Sequence, residues 1–383
     1  MTLQLDPTKP YGIVLEGGGA KGSYQIGAWE ALREAGIQIK GIAGASVGSL
    51  NGALMCMDDF SRAEYIWDNI SYSQVMDIDD EWMQQLINRD FKSIGIHDLL
   101  TEGKKIFKDR GIDIAPLRRL IEGTIDEEKI RTSDRDLFIS AISLTDRKSL
   151  IIDMKEVPEG EMGDMLLASA YFPVFKRERL GGKLYTDGGG ANNVPVDVLT
   201  DHGYRDIIII RIYGLGYDTE KYFTVPEGVT VHHIAPRQNL GGILEFDPKK
   251  ARRNRRLGYL DGKRLLYGLA GKRYYIDAPE SEAYYFDKMM SEAELLKRYL
   301  MQGILNEEIE EPAGCRRYTE VIFPRLAQEF GFDKDWDYRD LYIGVLEHLA
   351  SKFRISRFRV YSVPELLLKI QQKLRTLDRG LRI

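Results

Sequence analysis

Short all-apolar runs alternate with longer segments of helical periodicity through the first two-thirds of the chain. Tyr11 to Glu16 and Ile37 to Ala43 predict short buried strands, and Leu137 to Leu144, Ser149 to Met154, Asp206 to Tyr213 and Val229 to Ala235 predict four more. The run Ile207 to Ile210 is apolar at every position, as a strand covered on both faces requires. Between the first two strands, Ser23 to Ala35 repeats Ile26, Trp29 and Leu32 on one helical face, and Val47 to Met57 is again helix-compatible. Strands alternating with helices predict an α/β fold with a largely parallel sheet.

Two stretches depart from this alternation. From Asp58 to Arg131 the pattern is helical and polar, with a helix start at Asp113 before Pro116, and it reads as an insertion and a candidate cap over a site. Its acidic cluster, Asp77, Asp79, Asp80 and Glu81, reads as a solvated face, because nothing orders those carboxylates toward one point. After residue 235 the chain turns to long charged helices, Ser281 to Leu305, Tyr338 to Phe353 and Pro364 to Leu377, with turns at Pro312-Ala313-Gly314 and Gly331. This divides the chain into 1–235, carrying the 58–131 insertion, and a helical region 236–383.

Composition narrows the class of protein. The 383 residues are 43% apolar and 30% charged, with a net charge of −5, the balance of a globular protein with no global attraction to nucleic acid. Cys56 and Cys315 are too few for a disulfide framework or a structural zinc site. Met1 to Pro10 lacks a signal-peptide core and no apolar run has bilayer length, so a cytoplasmic location with at most peripheral membrane contact is expected.

The chemistry concentrates in three short motifs. Gly44-Ala45-Ser46-Val47-Gly48 sets a serine where a strand meets a helix, the pattern of a nucleophile elbow. The loop Glu16-Gly17-Gly18-Gly19-Ala20-Lys21-Gly22 closes the first strand and has three readings. As a phosphate-binding P-loop it fails, because Lys21 follows alanine and no Ser or Thr comes directly after it. As a dinucleotide fingerprint Gly17, Gly19 and Gly22 fit the spacing, yet the next strand ends at Ser46 without the carboxylate that holds a ribose. As an oxyanion hole it fits best, since successive glycines let backbone N–H groups converge on one point.

A serine nucleophile needs a base. Of His97, His202, His232, His233 and His348 none has catalytic context, whereas Asp187 precedes three glycines that leave its carboxylate uncrowded. Asp187-Gly188 is also an ordinary hairpin-turn signal.

Gly-Gly-Gly-x-Lys-Gly, then Gly-Ala-Ser-Val-Gly, then Asp-Gly-Gly, in that order, resembles the patatin-like phospholipase family over about residues 9 to 235, as does Ala168-Ser169-Ala170-Tyr171-Phe172-Pro173. The resemblance implies a three-layer α/β/α fold and a Ser46–Asp187 dyad with no metal or nucleotide cofactor. It also implies an oxyanion hole in the Gly17, Gly18, Gly19, Ala20, Lys21, Gly22 loop, with the Gly18 and Gly19 N–H groups as donors. Glu16 stands where the family often has aspartate. The activity so implied is hydrolysis of phospholipid or other fatty-acyl esters through an acyl-enzyme. A non-catalytic scaffold holding a nucleotide or phosphate on the Gly17–Gly22 loop is the alternative.

Lys249-Lys250-Ala251-Arg252-Arg253-Asn254-Arg255-Arg256 is the one dense basic stretch. It is first a helix packed on the domain with its charges in solvent or ion-paired, and second a peripheral contact with an anionic lipid surface. An RNA-binding stripe ranks behind both, and no nucleic-acid partner is expected.

Overall fold

A computed structural model of the chain describes residues 1–81, 111–292 and 315–380. They form two compact units, Gln4–Leu266, and Tyr267–Ile383 together with Met1–Leu3.

The first unit is built on a seven-stranded sheet. Its strands are β1 (Pro10–Leu15), β2 (Gln38–Ala45), β3 (Asp136–Ser143), β4 (Lys148–Asp153), β5 (Tyr185–Asp187), β6 (Asp206–Ile210) and β7 (Thr230–Ile234). The order is β4-β3-β2-β1-β6-β7, with β5 on β3. β1, β2, β3, β6 and β7 run parallel, whereas β4 and β5 pair antiparallel with β3. The mainly parallel α/β sheet is the one the alternating pattern predicts, and all six predicted strands are present.

Helices cover both faces. Gly52 of α2 (Val47–Cys56) lies against Ile42 and Leu137 on one face. On the other, Val14, Ala43, Phe138, Ile207 and Ile209 form a core with Val196, Val198 and Leu199 of the Val196–Asp201 helix. These residues alternate along their strands, so each strand feeds both cores, which explains the continuous apolar runs.

The compact units do not divide at residue 235. The Pro248–Tyr267 helix packs against α1 (Ser23–Glu34), with almost its whole length in the first unit, because glycines let the two backbones touch. A Cβ on Gly27 would lie 1.7 Å from the Arg255 carbonyl oxygen, and one on Gly258 would lie 1.9 Å from that of Tyr24. Buried Asp261 accepts a 2.8 Å hydrogen bond from the Tyr24 hydroxyl. The charges of this helix are in part ion-paired, as expected of a helix packed on the domain: Arg255 is half-buried and pairs with Glu30, Glu64 and Asp68. Gly27→Ala is therefore expected to destabilise the unit by about 1–3 kcal/mol through overpacking, seen as a lower midpoint in urea.

The described parts of 58–131 are helical: α3 (Phe60–Asp68), α4 (Tyr72–Val75), and the helices Ala115–Glu122 and Glu127–Thr132. The Asp113 carboxylate accepts the Ala115 N–H at 2.7 Å, at the predicted helix start. In the acidic cluster, Asp80 accepts from both the N–H and the hydroxyl of Ser73. Residues 82–110, with His97, lie outside the described residues, as does the turn at Pro312.

The second unit has its own core, in which Tyr285, Phe323, Leu341, Tyr342, Leu346 and Leu366 are buried together. Glu282–Ser291, Phe323–Glu329, Tyr338–Lys352 and Val363–Gly380 are its longer helices. It adds two parallel strands that the helical pattern conceals, β8 (Tyr275–Asp277) and β9 (Val360–Ser362). No helix among the described residues is long and apolar enough to cross a membrane.

Candidate active site

Parallel strands deliver their following loops to one edge of the sheet. The loops after β1, β2 and β6 meet there: the glycine loop, the Ser46 turn and residues 211–217.

Ser46 occupies the turn between β2 and α2 with φ 54° and ψ −124°, a conformation that costs a non-glycine residue about 1–3 kcal/mol. Tight packing holds it there. A Cβ on Gly44 would lie 2.5 Å from the Gly48 backbone, and one on Gly48 would lie 2.2 Å from the Leu15 carbonyl oxygen. The Ser46 N–H donates to Ser169 Oγ at 3.1 Å, and Ser169 in turn shares a 2.7 Å hydrogen bond with Ser49 Oγ.

Asp187 reaches Ser46 through the register of β3. Ala45, the last residue of β2, pairs with Ser140, and Asp187, the last of β5, pairs with the next residue, Ala141. β5 thus continues along the β3 edge where β2 leaves it, and this sets Asp187 beside the residue after Ala45. Ser46 Oγ donates to Asp187 Oδ2 at 2.6 Å, and the Gly189 N–H donates to Oδ1 at 2.8 Å. A short 3₁₀ turn, Gly188–Gly190, follows Asp187 in place of a hairpin turn. Burial pushes the Asp187 carboxyl up to about 6, against the opposing hydrogen bonds from Ser46 and Gly189. A carboxylate tuned in this way accepts a proton readily near neutral pH.

The glycine loop sorts its own N–H groups. Gly17 donates to the Asn193 carbonyl, Ala20 to that of Ile243 and Lys21 to that of Gly18, so these three cannot serve an oxyanion. Gly18 and Gly19 have no acceptor within the described protein, and they alone of the loop line the adjoining cavity with Ser46 and Asp187. Gly22 begins α1 and its carbonyl accepts from Asn51, so it too is structural. Gly19 must be glycine: φ is +56° and a Cβ would lie 2.1 Å from the Ile243 carbonyl oxygen. The Lys21 ammonium is turned away, donating to the Tyr213 carbonyl at 2.6 Å, and burial lowers its pKa.

Three supports of the site have no local sequence signal. Buried Glu16 accepts the N–H groups of Ile212, Tyr213 and Gly214 at 2.6, 2.9 and 3.0 Å and pairs with Arg211 at 3.0 Å. Arg211 also pairs with Asp218 and Glu220, a network that would be costly to bury unsatisfied. Buried Asn193 joins the glycine loop to the 213–217 loop, donating from its side chain to the Gly17 carbonyl and from its N–H to that of Tyr217.

The four described histidines stand elsewhere. His202 bonds the Val198 carbonyl and lies on Phe138, His233 meets Glu220, and His348 lies beside Phe330. Burial lowers the pKa of His232, which sits on β7. None hydrogen-bonds Ser46 or Asp187.

The cavity beside Ser46 is walled by Leu50 and Leu54 of α2, Ile66 and Trp67 of α3, Leu117 and Ile121, Phe172 and Phe175, and Phe246. Among its described lining residues Asp187 is the only charged one. Its Asn51 amide is already engaged with Gly22, Gln25 and Trp67. Among the described residues no group of three His, Cys, Asp or Glu side chains is arranged to hold a metal ion.

The profile of the family described as patatin-like phospholipase matches residues 13–200. Neuropathy target esterase sws of Drosophila melanogaster is 27% identical over 212 residues, which are 52% of this chain and 13% of the fly protein. A rat patatin-like phospholipase domain-containing protein 7 is 26% identical over 217 residues, with the same shares. The chain therefore matches only 13% of the length of these curated relatives. An Aspergillus terreus lysophospholipase is 55% identical over 47 residues, 12% of this chain and 3% of that protein. Among solved structures, VipD from Legionella pneumophila aligns over 94% of this chain and 90% of its own, with a TM-score of 0.41 and 14% identity.

Proposed function

We propose, for a chain whose residues 13–200 belong to the patatin-like phospholipase family, that it is a serine lipid acyl hydrolase acting in lipid metabolism. The observation that carries this reading is the 2.6 Å hydrogen bond from Ser46 Oγ to Asp187 at the head of an apolar cavity. Ser46 is the nucleophile and Asp187 its base. As Oγ attacks the ester carbonyl, Asp187 takes the hydroxyl proton, and the N–H groups of Gly18 and Gly19 stabilise the oxygen that becomes negative. Collapse of the tetrahedral intermediate breaks the carbon–oxygen bond of the ester, and the departing alcohol or lysolipid takes the proton from Asp187. Water then gives a proton to Asp187 and attacks the acyl-enzyme. Fatty acid leaves as Ser46 recovers its proton.

The acyl chain lies among Leu50, Leu54, Trp67, Leu117 and Phe172, of which only Trp67 carries a polar group, and its N–H is already donated to Asn51. The cavity walls that residues 58–131 contribute, among them Trp67, Leu117 and Ile121, support reading that insertion as a cap over the acyl chain. A cavity whose only charge among its described lining residues is a carboxylate opposes a phosphate group, which weighs against the phosphate-binding scaffold. Peripheral contact with an anionic membrane falls to the exposed Lys249, Lys250, Arg252 and Arg256, since Arg255 is engaged by three carboxylates. The test is fatty-acid release from a panel of phosphatidylcholine, lysophosphatidylcholine and monoacylglycerol by the wild type and by Ser46→Ala. Release that requires Ser46 supports the proposal, and no Ser46-dependent release from any of them overturns it.

A further inference from the structure

Between β6 and β7 the chain leaves large side chains in solvent. Tyr213, Leu215, Tyr217, Tyr222 and Val225 are each between 48% and 73% exposed. Scattered single residues of this kind are ordinary, but a contiguous group marks an interaction surface.

This segment is held firmly. Glu16 accepts three successive N–H groups at its start, and the Lys21 ammonium holds the Tyr213 carbonyl. Further on, the Tyr217 N–H donates to the Gly189 carbonyl at 2.8 Å, and the Tyr217 carbonyl accepts from the Asn193 N–H at 3.0 Å. The loop is therefore stapled to the glycine loop on one side and to the turn after Asp187 on the other. The rings of Tyr217 and Tyr222 stack at 5.6 Å with 9° between their planes. Exposed apolar groups on a segment already ordered lose little further entropy when they are covered.

Leu215 belongs to both features, since it lines the cavity and is half exposed. Leu215 is thus the residue of this exposed segment at which the apolar cavity lining reaches the surface. Most charges of the same segment are paired within it: Arg211 pairs with Asp218 and Glu220 and lies over the Tyr213 ring, Lys221 reaches Asp218, and Glu227 is exposed.

From these contacts we infer that Tyr213, Leu215, Tyr217, Tyr222 and Val225 form the face on which the enzyme docks onto a lipid aggregate, by apolar insertion rather than charge. The inference rests on the hydrolase reading: when one acyl chain enters the cavity, the aggregate it leaves must lie against the cavity mouth. Tyrosine suits that depth, with its ring among acyl chains and its hydroxyl at the headgroups. A zwitterionic surface suffices, and the basic Lys249–Arg256 stretch is not the primary contact.

The test is flotation of the full chain carrying Ser46→Ala with vesicles of phosphatidylcholine alone, at low and high salt. Binding is expected at both. Adding Tyr217→Ser, Tyr222→Ser and Val225→Ser should lower the partition coefficient roughly tenfold, about 1.4 kcal/mol, whereas Tyr217→Trp with Tyr222→Trp should raise it. Charge reversal at Lys249 and Arg252 should leave it unchanged. Absence of flotation, loss of binding at high salt, or indifference to both the serine and the tryptophan variants overturns the inference. Hydrolysis of a water-soluble short-chain ester by the wild type is measured alongside. Without that hydrolysis the enzymatic reading fails even if flotation follows the tyrosines, and with it a flotation failure falls on the docking face alone.

Discussion

Asp187→Asn is expected to lower kcat for ester hydrolysis on the order of 10⁴-fold while leaving the protein folded. The amide is nearly isosteric and can still accept the Gly189 N–H, but it cannot take the proton from Ser46 Oγ. In the wild type, kcat/KM should rise with pH through about 6 as the Asp187 carboxyl loses its proton, and then level off. Stability should move the other way. The folded pKa lies above the ~3.9 of an unfolded aspartate, so the native state holds the proton more tightly. The stabilisation present below about pH 4 is lost as pH rises through about 6. Asp187→Asn never becomes charged, so it should melt at a higher temperature than the wild type at neutral pH, with the gap closing below about pH 4. A dead enzyme that is more stable than its parent separates a catalytic carboxylate from a structural one. An Asp187→Asn protein that keeps full activity would remove the base assignment.

Gly19→Ala should have the next largest effect, a loss on the order of 10²- to 10³-fold in kcat with KM little changed. The added methyl would meet the Ile243 carbonyl oxygen at 2.1 Å and force a side chain into φ +56°. The loop must shift, and with it the Gly18 and Gly19 N–H groups. Because these donors act on the negative oxygen of the transition state more than on the ester, the loss belongs in kcat. Steady-state kinetics with a short-chain ester checks this, with a thermal melt showing that the unit still folds. Unchanged kcat would mean that the oxyanion is held elsewhere.

The proposed nucleophile and its proposed base were legible in the sequence for different reasons. Ser46 announces itself locally, because an elbow needs small residues on both sides of it, and Gly44 and Gly48 are packed against backbone within van der Waals limits. Asp187 was legible through its glycines and its place in a family pattern. Its geometry was not, since β5 is three residues long and too short to display an alternation of its own. What aligns it with Ser46 is the β3 edge, shared by segments 141 residues apart.

The supports of the site lie beyond reading by spacing. Glu16 and Arg211 are 195 residues apart, and the donors that Glu16 serves are main-chain groups, which every sequence supplies equally. Asn193 looks like any loop asparagine until Gly17 and Tyr217 are found on either side of it. The glycine loop shows the same limit at finer scale. The resemblance names Gly18 and Gly19 as donors, but the physical reason, that Gly17, Ala20 and Lys21 give their N–H groups to the carbonyls of Asn193, Ile243 and Gly18, is not written in the sequence. For the Pro248–Tyr267 helix, packing on the domain with paired charges was legible, whereas the close approach of Gly27 and Gly258 that seats it was not.

The central claim is that Ser46 is a nucleophile activated by Asp187 beside free oxyanion donors. Its most direct test is reaction of the folded protein with a fluorophosphonate, followed by intact mass and peptide mapping. Such a reagent needs the activated hydroxyl and the donors around it but no knowledge of the lipid. The account predicts one phosphonyl group per chain, mapped to Ser46, lost in Ser46→Ala and strongly slowed in Asp187→Asn. Folded protein that takes up no label, or takes it up at another residue, would contradict it.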